Sequence, residues 1–298
     1  MQKISSKITH FPKFARIVVA AALSVLPLAF VAPVSAVAQH SQMDFKQLTQ
    51  EEGRAVLREF RKFRFPADYC MDFEIVHKPR KSDDETVYAG TMWGTWDDGA
   101  IIRMEIRKAG DSVENTKKFL IKNGEKPELW TLDENGKAAK IDGDSAAPFF
   151  DGLIFTPFDV QTPFLFWEDF TYETTKRSRG RPVHFFSMTP PENFKKSNPD
   201  IGSVRIGIDR AYNVLMSVEV LDSDGARLKN FFVGSVKKIQ DLYTFRELEL
   251  RDERSRDRDT LVVKRAAMRL RFDPEFFSPE NLAEKKPNLP DNLFEKLD

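Results

Sequence analysis

With a single cysteine in 298 residues, the chain can form no intrachain disulfide, and nothing covalent staples its fold. Cys70 sits in strand-like alternation, where a thiol reads as buried filler rather than as a nucleophile. Histidine is nearly as scarce, at four residues. His40, His77 and His184 lie beyond residue 38, and none stands at metal-ligand spacing to another or to the cysteine. His77 and His184 fall on alternating segments, which favours structural hydrogen-bonded roles. No G-x-S-x-G elbow and no glycine-rich phosphate loop occurs. An excess of one charge is missing too: Lys plus Arg and Asp plus Glu both total 46. Without clustered basic residues there is no footprint for nucleic acid. These absences set the expectation of a non-enzyme with no cofactor, no metal and no nucleic-acid partner.

Long apolar runs are absent after the first 31 residues, and the exception is instructive. Lys3, Lys7, Lys13 and Arg16 form a basic front. The nearly unbroken apolar run from Ile17 to Val31 follows, and Ala36-Val37-Ala38 offers small residues to a signal peptidase. The run is too short for a comfortable membrane span. Residues 1–38 are therefore expected to be a cleaved signal peptide, with the soluble chain working in the periplasm. The four basic residues of that segment meet no acidic ones, so residues 39–298 carry 42 basic and 46 acidic side chains, a net of −4. No fixed-period repeat or low-complexity linker divides them. They are expected to form a single domain and a monomer.

Thr49-Gln50-Glu51-Glu52 is a capping box ahead of Ala55, Val56, Leu57, Phe60 and Phe63, which recur at helical spacing. Phe65-Pro66 should end that helix. The period then switches to two: Met71, Phe73, Ile75 and His77 alternate with Asp72, Glu74, Val76 and Lys78. Further strands are expected near 86–95, 100–107, 117–122, 128–132 and 137–141. Asp97–Gly99, Asn123-Gly124 and Asn135-Gly136 supply turn signals. After residue 200 the alternation returns in 204–209, 214–220, 228–236 and 262–272. Asp222–Gly225 reads as a hairpin turn, because aligning it to a calcium loop puts Val220 and Phe231 where oxygen ligands belong. The run RDERSRDRD at 251–259 alternates in sign and reads as a solvated hairpin end. Roughly eleven strands, each with one wet face, imply a long antiparallel sheet. Its other face would be covered by the early helix and one further segment.

That segment is the abundance that offsets the absences. Residues 149–172, FFDGLIFTPFDVQTPFLFWEDFTY, hold seven of the 26 phenylalanines and a tryptophan. Pro157 and Pro163 keep them from forming one helix. Glu168, Asp169 and Glu173 interleave with the aromatics and read as solubilising. Two readings of the aromatic residues stand side by side. They are ordinary core, or they form a displaceable cover over an apolar site, since half of them exposed would exceed the patch a monomer tolerates.

Later segments carry a resemblance. WEDFTYE (167–173), GRPVHFFSMTPP (180–191), VRIGID (204–209), LMSVEVLDSDGARLKNFFVGSVKKI (215–239) and DTLVVKRAAMRLRFDPEFFSPENL (259–282) stand in an order that resembles the LolA/LolB-like outer-membrane lipoprotein-sorting proteins. The most specific pieces are the D-F-x-Y element and the closing F-F-S-x-E-N-L. The resemblance implies a mainly β fold with a few helices. Its form would be an incomplete, half-open antiparallel β-barrel of about eleven strands, with helices covering the concave face. It also implies a periplasmic carrier that shields a lipid or lipoprotein acyl chains and delivers them toward the outer membrane, between membrane donor and acceptor proteins. The alternative is a lipid-sensing regulator that binds a membrane protein. On either reading Phe150, Leu153, Phe155, Phe158, Phe164, Phe166, Trp167 and Phe170 are expected to line or cover an apolar cavity.

Overall fold

Period-two alternation in the sequence becomes one antiparallel sheet in the computed structural model, which describes residues 45–297 except 63, 66, 97–99 and 142–146. The expected signal peptide (residues 1–38), Phe63, Pro66 and the Asp97–Gly99 turn lie outside the described residues. Strands β1 (Asp68–Lys78), β2 (Thr86–Thr95), β3 (Ile101–Lys108), β4 (Lys117–Lys122), β5 (Glu128–Leu132) and β6 (Ala138–Lys140) form a first meander. A second contains β7 (Phe170–Ser178), β8 (Arg181–Met188), β9 (Ser203–Asp209), β10 (Leu215–Leu221), β11 (Arg227–Ile239), β12 (Leu242–Asp252) and β13 (Arg258–Leu270). The meanders join where β1 pairs with β13, so the spatial order runs from β6 inward to β1, then from β13 outward to β7. The sheet is open, not closed.

A two-residue β14 (Glu295–Lys296) pairs with Arg265 and Ala266 of β13. It lies beyond the stretch where β12 holds β13, which ends at the Glu247–Val262 pair. The fourteen strands exceed the expected eleven through β7, β12 and β14. Edge strand β7 buries only Tyr172 and Thr175, so it lacks apolar alternation, and β12 is mostly half-buried. Asn135-Gly136 and Asp222–Gly225 turn as expected. Gly136 and Gly225 take φ of 73° and 78°, which a glycine adopts without strain. Asp222 Oδ1 accepts from the backbone N–H groups of Asp224 and Ala226 and closes its own turn.

Two apolar clusters share the inner face. Met71, Phe73, Ile75, Met104, Ile106, Leu261, Val263 and Met268 belong to the first. Phe186, Met188, Val204, Ile206, Ile208, Val218 and Val220 belong to the second. Alternation over 262–272 would put Leu270 beside Met268, but it packs on the opposite face. Arg269 is the reason: its φ of 57° breaks the extended alternation and turns the next side chain over.

Helix α1 (Gln50–Lys62) covers the second cluster. Its capping box forms, with Glu52 N donating to Thr49 Oγ1 at 3.2 Å and Thr49 N to Glu52 Oε2 at 2.8 Å. Leu57 is fully buried, with Val56 and Phe60 half-buried beside it. Gly53 lets the helix approach closely, since a Cβ there would stand 2.7 Å from Tyr172 Cβ. Two shorter helices, α2 (Pro157–Gln161) and α3 (Glu192–Ser197), complete this cover; Phe158 and Phe194 are their buried residues in the second cluster.

The expectation of one wet face along the whole sheet does not hold. On the outer face Cys70, Trp93, Arg103 and Leu120 form a cross-strand row. The C-terminal residues lie over it, with Phe277 and Leu282 buried in a third cluster. The run of Phe, Pro and Leu after β13 is thus a second cover, one the sequence pattern did not reveal.

Candidate functional site

Residues 149–167 form a strap across the inner face, and it divides between the two clusters. Phe149, Leu153 and Phe155 are buried in the first, with Phe150 half-buried against it. Phe158, Phe164 and Trp167 are buried in the second, with Phe170 half-buried against it. Phe166 is half-buried. The structure therefore brings seven of the eight expected residues to one face of the sheet, in two groups, and Phe166 joins neither cluster. Proline and a left-handed Thr162 (φ 46°) make the division: α2 ends there, and a 3₁₀ turn over Pro163–Phe166 starts afresh. Ring centroids 5.4 Å apart for Phe158–Phe164 and 5.0 Å for Trp167–Phe194 place the aromatics in tilted contact.

Polar anchors hold the strap along its length: Lys117 donates to the carbonyl of Phe149 at 2.8 Å, Asn123 to that of Val160 at 3.3 Å, and Gln161 to that of Lys122 at 3.2 Å. Asp259 is fully buried, and its Oδ2 accepts from the backbone N–H of Ile154 at 2.7 Å and of Phe155 at 2.8 Å. Its Oδ1 lies 2.7 Å from His77 Nδ1, on the residue paired with it across β1 and β13. Burial pushes the Asp259 carboxyl above its ordinary value, against the lowering influence of His77 and the two amides. With both oxygens engaged, Asp259 clamps the strap backbone to His77. Lys229 donates to the carbonyl of Ile154 at 3.1 Å and pairs with Asp159. Asp159 also takes the N–H and hydroxyl of Thr156, each at 2.8 Å. At the far end Arg61 of α1 donates to the carbonyls of Leu165 and Trp167.

Sequence reasoning missed these anchors. Asp259 was read as part of a solvated charge run, yet it stands two residues before Leu261 and four before Val263. Continuing that alternation places it on the inner face opposite His77. Lys229 carried no such signal.

Elsewhere the polar residues do structural work. Burial pushes the Cys70 thiol up to about 12, well above nucleophilic range. His184 Nδ1 and Tyr172 Oη both bond Thr175 Oγ1, at 2.7 and 2.6 Å. Burial pushes the His184 imidazole below its ordinary value, and Arg210 adds to that. Among the described residues no group of three or more His, Cys, Asp or Glu is placed to hold a metal ion. No helix among them is long and apolar enough to cross a membrane. What the inner face offers chemically is apolar contact beneath a cover of aromatic rings.

No curated protein matches the chain. Solved structures do match its fold. A domain described as an outer membrane lipoprotein-sorting protein domain, from Vibrio parahaemolyticus, is similar with a TM-score of 0.64 at 15% identity; the match covers 79% of this chain and 100% of that one. A DUF1329 family protein from Desulfovibrio piger is similar with a TM-score of 0.63 at 12% identity, covering 78% and 98%. A LolA superfamily protein from Nitrosomonas europaea is similar with a TM-score of 0.56 at 13% identity, covering 76% and 96%. A family model described as an uncharacterized protein matches residues 106–284. The chain therefore belongs to the family that this model describes, and its fold is the one seen in these three structures.

Proposed function

We propose that the protein is a periplasmic carrier that shields a lipid, or the acyl chains of a lipoprotein, under the 149–167 strap and delivers them toward the outer membrane. The observation that carries this reading is the strap itself. It is an irregular, proline-broken cover whose aromatics sit on the apolar inner face of an open sheet, held by polar anchors. Phe150, Leu153, Phe155, Phe158, Phe164, Phe166, Trp167 and Phe170 are the side chains that would exchange their contacts for an acyl chain. The similarity to a lipoprotein-sorting domain supports the same reading. Transfer of this kind needs no chemical step. At roughly 0.8 kcal/mol per methylene, one long acyl chain supplies about 10 kcal/mol, from which strap displacement and ligand ordering subtract. Export follows from residues 1–38, with cleavage after Ala38.

The test uses Phe164→Ser and Trp167→Ser. In a carrier both variants melt close to the parent and take up far less of a fluorescent fatty acid. If melting drops steeply while uptake per folded molecule is unchanged, the aromatics are core and the carrier reading fails.

A further inference from the structure

On the outer face, away from the strap, a groove of about 490 Å³ lies between the sheet and residues 286–294. Its floor is two cross-strand rows: Asp72, Thr91 and Glu105, then Glu74, Ala89 and Arg107, on β1, β2 and β3. Every acid in the groove already has a cation. Asp72 and Asp291 share Arg265, at 2.6 and 2.7 Å. Glu74 lies 3.5 Å from Lys264, and Glu105 lies 3.6 Å from Lys118 and 3.9 Å from Arg103.

The donors are not matched in the same way. Among the described residues the Arg107 side chain has no hydrogen bond or ion pair, and Lys286 lies 6.0 Å from the Trp93 ring centroid and near Cys70. Thr116 and Trp93 also line the groove, and Thr116 Oγ1 and Trp93 Nε1 are buried beside it without a partner. Buried polar atoms of this kind are uncommon in folded proteins and call for an explanation. Ile106 pairs with Lys117, which puts Thr116 directly opposite Arg107 on the neighbouring strand. Lys286 and Trp93 stand at the other end. Trp93 pairs with Arg103, four residues along β3 from Arg107, or about 13 Å of extended chain.

We propose that this groove binds a small, elongated ligand through an oxyanion, a carboxylate or phosphate group, seated between Arg107 and Thr116. The guanidinium fork suits either group, and the Thr116 hydroxyl supplies a further donor. Lys286 and the Trp93 indole N–H donate to a second acceptor at the far end. The pairing of every groove acid leaves Arg107 and Lys286 as the charges a ligand would neutralise. The site is independent of the strap and does not rest on the carrier reading.

Calorimetric titration of the exported chain with inorganic phosphate, glycerol 3-phosphate and glutarate tests it. At least one probe should bind, and the preference between glutarate and the phosphates assigns the group. Arg107→Gln should weaken that binding tenfold or more, and Thr116→Val severalfold. Arg58→Gln, on the exposed side of α1, should leave it unchanged. Arg107→Gln should also leave fatty-acid uptake at the parental level, which separates this site from the strap. Absence of binding by all three probes overturns the proposal, as does an affinity in Arg107→Gln within threefold of the parent.

Discussion

Arg103 shows how much one residue organises here. Its side chain is fully buried, yet no carboxylate bonds it directly. Nη1 instead donates to the carbonyls of Phe276 and Asn281, at 3.2 and 3.1 Å, and Nη2 to those of Leu282 and Glu284, at 3.2 and 2.7 Å. The guanidinium also lies 4.3 Å from the Phe276 ring centroid. The F-F-S-x-E-N-L element is thus a loop of carbonyls folded around one cation. Arg103→Met should cost about 3 kcal/mol or more, because it removes four hydrogen bonds and leaves the buried Leu282 carbonyl without its donor. Denaturant unfolding measures the loss, and proteolysis within 272–294 should quicken in the variant.

Asp209 is a second buried anchor, paired with Arg181 and accepting from the N–H groups of Ala211 and Tyr212 at 2.8 and 2.9 Å. Burial raises its pKa, but Arg181 and the two amides outweigh that and hold the carboxyl below its ordinary 3.8. A depressed carboxyl contributes stability above its unfolded value and loses it as pH falls through the folded one. Acid unfolding followed from about pH 5 downward should be shallower in Asp209→Asn. The variant should also be less stable at pH 7 by about 2 kcal/mol.

Among the elements, α1 is set by local chemistry and placed by contact. Its capping box and acidic first turn start the helix wherever it lies. Gly53 determines how near it comes to β7. In an exposed helix, Gly to Ala stabilises by about 1 kcal/mol. Here the added methyl would meet Tyr172 at 2.7 Å, so Gly53→Ala should destabilise, by about 1–3 kcal/mol. A higher melting temperature in that variant would mean that the helix can shift outward without cost. Unlike α1, the strap is regular only over α2 and the 3₁₀ turn, and side-chain anchors such as Asp259, Lys229 and Arg61 set its course. The outer faces of β9 and β10 are bare of cover and carry an ion-pair ladder instead. In it Arg205 bridges Glu173 and Glu219 at 2.7 and 3.1 Å, and Arg227 extends it from Glu219 to Glu253. Such surface pairs contribute little stability each.

For the whole molecule, the arrangement of two meanders has a consequence for stability. The first strand, β1, and the last long one, β13, pair at the middle of the sheet, while β6 and β7, adjacent in sequence, end it on opposite sides. Amides of β1 and β13 are covered by neighbours on both sides and by clusters on both faces, so they should open only in global unfolding. Hydrogen exchange should be slowest there and fastest at β6 and β7. Equal protection across the sheet would contradict this. The C-terminus reinforces the centre: Leu297 N donates to the Lys264 carbonyl at 2.9 Å, and the Leu297 side chain packs in the inner cluster while Phe294 packs on the outer one.

The sequence by itself determined the elements whose signal is local. The capping box wrote α1, and period-two alternation wrote β1–β5 and β9–β11. Turn glycines wrote the hairpins, and a resemblance in the order of its segments pointed to the lipoprotein-sorting fold. It also singled out the aromatic stretch 149–172, whose side chains the fold then divides between two clusters. Tertiary structure alone decided the matters that depend on residues far apart in the chain. Asp259 and His77 are 182 positions apart, and their meeting required the β1–β13 register. Arg103 found its four carbonyls more than 170 residues downstream. Alternation tells which side chains share a face. It does not tell which of two faces a later segment will come to cover, because that depends on where strands far apart in sequence pair.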